Sequence, residues 1–139
     1  MAYGSLLADV VQSSATGSPP QFNDTTGTQV GTLCRAWVNF NGTVATPSTI
    51  RASFNVASIT KNATGNYTVN FTNAMPDANY AVKGTCNGAP GATSNSAGIY
   101  STNNNGTGAN ITTTACQVYT GNDSSVAIDC AYVSFAFFR

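Results

Sequence analysis

Five aspartates, four cysteines and a crowd of asparagines are the side chains through which this 139-residue chain could do chemistry. The carboxylates Asp9, Asp24, Asp77, Asp123 and Asp129 stand singly, with no Asp-x-Asp spacing and no Glu beside them. Sugar hydrolysis needs two carboxylates flanking one bond, and nothing in the spacing pairs these five, although distant aspartates can converge in a fold. The chain has no His, so the commonest general base and the commonest metal ligand are both missing. Cys34, Cys86, Cys116 and Cys130 lack Cys-x-x-Cys spacing, and without His the usual zinc patterns are absent. The expectation is no catalytic residue, no metal site, no cofactor and no enzyme.

Binding chemistry is better supplied. Tyr100 and Tyr119 lie close in sequence to Asn103, Asn104, Asn105 and Asn122. Aromatic rings stack on sugar faces while carboxamides bond hydroxyls, so these six residues are the candidate receptor-binding set. The alternative is that the tyrosines are core and the asparagines simply keep a loop soluble. Asn-x-Thr/Ser triplets begin at Asn23, Asn41, Asn62, Asn66, Asn70, Asn105, Asn110 and Asn122. In so Asn- and Thr-rich a chain they arise by chance, so they are not read as glycan acceptors.

Charge narrows the partners. Only 7% of the residues are charged, against roughly 25% in an average soluble protein. Five Lys and Arg balance five Asp, which leaves no basic footprint for nucleic acid. No run approaches the roughly 18 apolar residues of a membrane span, so no membrane insertion is expected. Chains near zero net charge associate readily, which favours life in an assembly. Met1 to Val11 lacks the basic start and long apolar run of a secretory signal. A reducing folding compartment and free thiols are therefore expected, with a disulfide as the alternative.

The elements that must position these side chains read as strands. Residues 1–32 are expected to form an extended attachment arm, broken at Pro19-Pro20, with Tyr3, Leu6, Val10 and Phe22 as side chains that dock elsewhere. From Leu33 the period becomes two: Cys34, Ala36, Val38 and Phe40 share one face, Arg35, Trp37 and Asn39 the other. A face holding both Trp and Arg is not expected to be plain solvent surface. Asn41-Gly42 supplies a turn. Ile50 to Thr60 alternates again, with a bend or bulge at Ala57-Ser58-Ile59. Tyr67, Val69 and Phe71 mark a half-buried strand, Tyr80 opens another, and Ile99-Tyr100 is a brief one within the polar stretch 87–110. Strand character resumes over Asn110 to Thr120, and Gly121-Asn122-Asp123 turns the chain. Ser125 to Phe138 predicts a strand covered on both faces, because Val126, Ile128, Cys130 and Tyr132 oppose Val133, Phe135 and Phe137. Only Ser5 to Val11 could be helical. Six to eight short strands over 33–139 predict an all-β domain, an antiparallel β-sandwich or compact barrel knob.

Three blocks carry a resemblance: Cys-Arg-Ala-Trp-Val-Asn-Phe-Asn-Gly at 34–42, Ile-Arg-Ala-Ser-Phe-Asn-Val at 50–56, and Tyr-Thr-Val-Asn-Phe-Thr-Asn-Ala-Met-Pro-Asp-Ala-Asn-Tyr-Ala-Val at 67–82. Together they resemble a segment that recurs in bacteriophage tail-fibre and receptor-binding proteins. The resemblance implies a homotrimeric fibre in the virion, assembled in the host cytoplasm. Its amino-terminal arm would hold a phage tail or baseplate protein, and its β-knob would touch a host cell-surface glycan. A purely structural baseplate or decoration protein without receptor contact is the alternative, and a depolymerising tailspike is a third reading.

Overall fold

The computed structural model describes residues 22–31, 33–88, 97–100, 111–122 and 126–139. Among them the chain is all-β and forms ten strands. These are β1 (Phe22–Asn23), β2 (Gln29–Gly31), β3 (Cys34–Asn41), β4 (Thr49–Phe54), β5 (Val56–Ala63), β6 (Asn66–Phe71), β7 (Ala81–Asn87), β8 (Ala97–Tyr100), β9 (Ala115–Asn122) and β10 (Tyr132–Phe138). The chain divides into a unit ending at Leu33 and one beginning at Cys34.

In the first unit β1 and β2 pair antiparallel. Asp24 makes the turn: its Oδ1 accepts the amides of Thr26 at 2.8 Å and Thr28 at 2.9 Å, and the Thr26 hydroxyl at 2.7 Å. These bonds hold the Asp24 carboxyl below the usual carboxylate range. Gly27, with φ of 84°, closes the hairpin. The described part of the expected arm is thus a hairpin, because local Asx bonding gives its backbone partners that an extended chain would lack.

The second unit is two four-stranded antiparallel sheets, β4-β3-β10-β7 (sheet 1) and β5-β6-β9-β8 (sheet 2), in a sandwich-like arrangement. Period-two patterning aims one face of each sheet inward. Ala36, Val38 and Phe40 of β3 and Val133, Phe135 and Phe137 of β10 meet Ile59, Tyr67, Val69, Phe71, Cys116 and Val118 of sheet 2. Edge-to-face ring pairs fasten the layers: Phe40 on Tyr67 at 5.1 Å and Phe71 on Phe137 at 5.0 Å. Burying each such side chain contributes about 1.5–3 kcal/mol.

Residues 50–60 do not form one strand. Asn55, at φ 56°, breaks the run and passes the chain from sheet 1 to sheet 2. Asn tolerates this left-handed conformation. Its amide donates to Arg35 O and Asn73 O, both at 3.1 Å, and its Oδ1 accepts the Asn73 amide at 2.7 Å. The sequence's wavering period at Ala57 is nevertheless a real bulge, where the β5–β6 register shifts between Val56 and Ser58. Asn55→Ala is expected to cost about 2 kcal/mol, from lost hydrogen bonds plus backbone strain. Asn55→Gly keeps the φ and should recover part of that. Urea midpoints of the two variants test the ordering.

Two further expectations need correction. Gly121 and Asn122 belong to β9 and are not a turn. The last strand begins at Tyr132, not at Ser125, and only its Val133–Phe135–Phe137 face is buried. Residues 126–131 instead cross the sandwich end, where the Cys130 carbonyl accepts the Gly42 amide and the Ala131 amide donates to Gly88 O. Trp37 likewise stays 40% exposed on the outer face of sheet 1. Among the described residues of the second unit, the two sheets face each other and neither covers that outer face.

Candidate functional site

The outer face of sheet 2 is built from the positions that alternate with its buried ones. In β6 these are Asn66, Thr68 and Asn70, and in β9 they are Gln117 and Tyr119. Register sets Asn66 opposite Tyr119 and Thr68 opposite Gln117. The side chains lock together. Asn66 Oδ1 accepts from Gln117 Nε2 at 2.6 Å and from Asn62 Nδ2 at 3.0 Å. Asn66 Nδ2 donates to the Tyr119 hydroxyl at 3.1 Å, and Asn62 Nδ2 also reaches Thr68 Oγ1 at 2.9 Å. One strand further, Asn70 Nδ2 bonds Ser58 Oγ at 3.0 Å and Thr60 Oγ1 at 3.3 Å.

This network fixes rotamers that an isolated surface amide would leave free. Tyr119 accepts from Asn66, so among the described residues its own hydroxyl hydrogen has no acceptor, and the side-chain oxygen Oε1 of Gln117 no donor. A rigid aromatic edge bordered by oriented amides suits a ring bearing several hydroxyls.

Of the six candidate binding residues, the structure keeps Tyr119 in this face. Tyr100 is its cross-strand partner in β8. Asn122 does not join them. Strand alternation turns it from Tyr119, and its Oδ1 accepts the Val126 amide at 2.9 Å. Asn103, Asn104 and Asn105 lie outside the described residues, as do Tyr3, Leu6 and Val10. Phe22 sits in β1 opposite Gly31, half exposed. Asn62, Asn66, Thr68 and Gln117 were not anticipated. Their signal was present: the outward positions of Asn-Tyr-Thr-Val-Asn-Phe are all neutral hydrogen-bonding residues.

A second polar cluster fastens one end of the sandwich. Asp129 accepts from Lys61 Nζ at 2.6 Å, the Tyr67 hydroxyl at 2.7 Å and the Gly65 amide at 2.8 Å. Lys61 also donates to Gly42 O at 3.0 Å, and the Tyr67 hydroxyl lies 3.1 Å from the same oxygen, sharing its one hydrogen between that carbonyl and Asp129. Burial pushes the Asp129 carboxyl up, but the bonds from Gly65, Lys61 and Tyr67 outweigh it and hold it below the usual range. Burial and the Asp129 contact raise the Tyr67 phenol well above its ordinary value. Every polar atom here is spent on another, which marks a structural fastening.

All four cysteines are thiols and form no disulfide. Burial pushes Cys86 up to about 12 and Cys116 up to about 11, so both stay protonated and weakly nucleophilic near neutrality. Among the described residues no group of three or more His, Cys, Asp or Glu could hold a metal ion. No described helix is long and apolar enough to cross a membrane. No protein-family model, curated protein or solved structure matches the chain.

Proposed function

We propose that the protein is a virion tail-fibre component that adheres to a bacterial surface polysaccharide without chemical turnover. The carrying observation is the pre-ordered outer face of sheet 2, where Asn62, Asn66, Thr68 and Gln117 are bonded into one network ending at Tyr119. Resemblance of the 34–82 blocks to phage tail-fibre segments supports the same reading. So does a sequence without His or Glu, poor in charge and dependent on amides and hydroxyls for its solubility. In this reading the chain acts as a homotrimer, its amino-terminal residues hold a tail or baseplate protein, and the glycan meets the Tyr119 face.

Retention of the purified protein on an array of bacterial envelope polysaccharides tests the contact. Tyr119→Ala and Gln117→Ala should each weaken retention about tenfold, the equivalent of one lost ring contact or one oriented hydrogen bond. Their thermal transitions should stay close to that of the parent, because neither side chain is core. Undiminished retention by both variants would exclude this face. Retention by no polysaccharide, with the protein imaged deep within the tail, would favour a structural virion part. Sedimentation mass separates the trimer from a monomer.

A further inference from the structure

The outer face of sheet 1 holds a surface of different chemistry. Register aligns Phe54, Trp37, Ala136 and Lys83 in one row across β4, β3, β10 and β7, with Ala52, Asn39, Ser134 and Thr85 in the next. Phe54 and Trp37 are large and exposed, while Ala136 is small. The drop between Trp37 and Lys83 opens a shallow groove of about 320 Å³, with Gly84 beside it. Two strand spacings separate β3 from β7, roughly 10 Å. That width takes one pyranose ring with contacts on both flanks. The volume lies at the low end of small-ligand sites.

The groove's polar groups are few and placed along one side. Asn39 Nδ2 donates to Ser134 Oγ at 2.7 Å, which leaves the Ser134 hydroxyl hydrogen to donate outward. Lys83 is exposed and makes no hydrogen bond or ion pair among the described residues. Lys61, by contrast, is paired with Asp129, and Arg139 with Asp77. Among the described residues, no carboxylate lines the groove. An uncompensated ammonium facing an indole across a floor of small residues is complementary to a ligand with an apolar ring face and a negative edge.

We propose that the groove between Trp37 and Lys83 binds a uronic-acid residue of a saccharide, its ring face on the Trp37 indole and its carboxylate on the Lys83 ammonium. The site lies on the other sheet from Tyr119 and does not depend on the reading of that face.

Trp37 is the single tryptophan of the chain, so its emission reports this groove directly. The full-length protein is titrated with a de-esterified oligogalacturonate and with its methyl-esterified counterpart. A saturable emission change with the acidic oligomer is expected, and about tenfold weaker binding of the ester, whose carboxylate charge is gone. Lys83→Gln should weaken the acidic oligomer by the same factor and leave the ester unchanged. Tyr119→Ala and Gln117→Ala should leave both affinities unchanged. Three results would each overturn the proposal: no saturable response to oligogalacturonate, equal affinity for acid and ester, or an emission shift that follows protein concentration alone with a rise in mass. The last would make the groove a seam between copies. Failure here with array binding still lost in Tyr119→Ala would leave the proposed function standing.

Discussion

Gly65→Ala is expected to lower the stability of the sandwich by about 3–5 kcal/mol, the sum of left-handed backbone strain and forced repacking. Gly65 has φ of 65° and joins β5 to β6. A methyl group there would run into the Thr120 carbonyl oxygen, and would stand 2.9 Å from the Ile128 amide nitrogen. Neither neighbour can retreat. The Thr120 amide donates to Gly65 O at 2.8 Å, and the Ile128 amide donates to Thr120 O at 3.1 Å. The thermal midpoint should fall by roughly 10–20 °C, given the usual entropy of unfolding for a domain of this size. Gly27→Ala is the control: its φ is also positive, but nothing lies within 4 Å of the added carbon, so only strain of about 1 kcal/mol is expected. A Gly65→Ala midpoint equal to the parent's would show that the sandwich end yields easily.

Asp129→Ala should cost about 3 kcal/mol, because one truncation leaves the Gly65 amide without its acceptor and the Lys61 ammonium and Tyr67 hydroxyl with only the Gly42 carbonyl between them. The same carboxylate sets an acid limit. Its pKa in the folded protein is depressed below the ordinary 3.8. The stability it contributes is therefore fully present above about pH 4 and is lost as pH falls through the folded value. Asp77, held low by the hydrogen bond to Arg139, and Asp24, held low by its turn, act in the same direction from exposed positions. Urea unfolding at pH 7, 5 and 3 should show little change between the first two and a clear drop at the third. Asp129→Asn should flatten that acid arm. An identical pH profile in the variant would remove Asp129 from the account. Because Gly65 donates to Asp129, the double variant is expected to cost less than the sum of the singles.

The strands were legible because alternation is a local property. Ala36, Val38 and Phe40, and likewise Tyr67, Val69 and Phe71, declare an inward face through side-chain period alone. The bulge at Ala57 was legible for the same reason, as a slip in that period. The break at Asn55 was not: an Asn at an outward strand position looks ordinary until the Arg35 carbonyl and the Asn73 backbone are there to hold it. The exit from β9 misled in the opposite way. The Gly121-Asn122 turn signal is genuine, but the Ala97 and Gly98 pairings draw both residues into the sheet.

The candidate face divides along the same line. Tyr119 was singled out by its type and its asparagine neighbours, and the structure places it on the outer face of sheet 2. Asn66 and Gln117, 51 residues apart in the chain, entered only when register brought their amides to 2.6 Å. Asn122 instead turns its carboxamide to the Val126 amide, which it accepts at 2.9 Å. The amino acids by themselves determined a charge-poor, amide-rich β domain with alternating faces, since composition and period are written residue by residue. Which outward residues stand side by side, which aspartate is gripped by a lysine and a tyrosine, and that Trp37 faces solvent across from Lys83 were decided by strand order and register. Those depend on pairings between distant segments, and the energy that selects among them exists only once both sheets have closed on a common core.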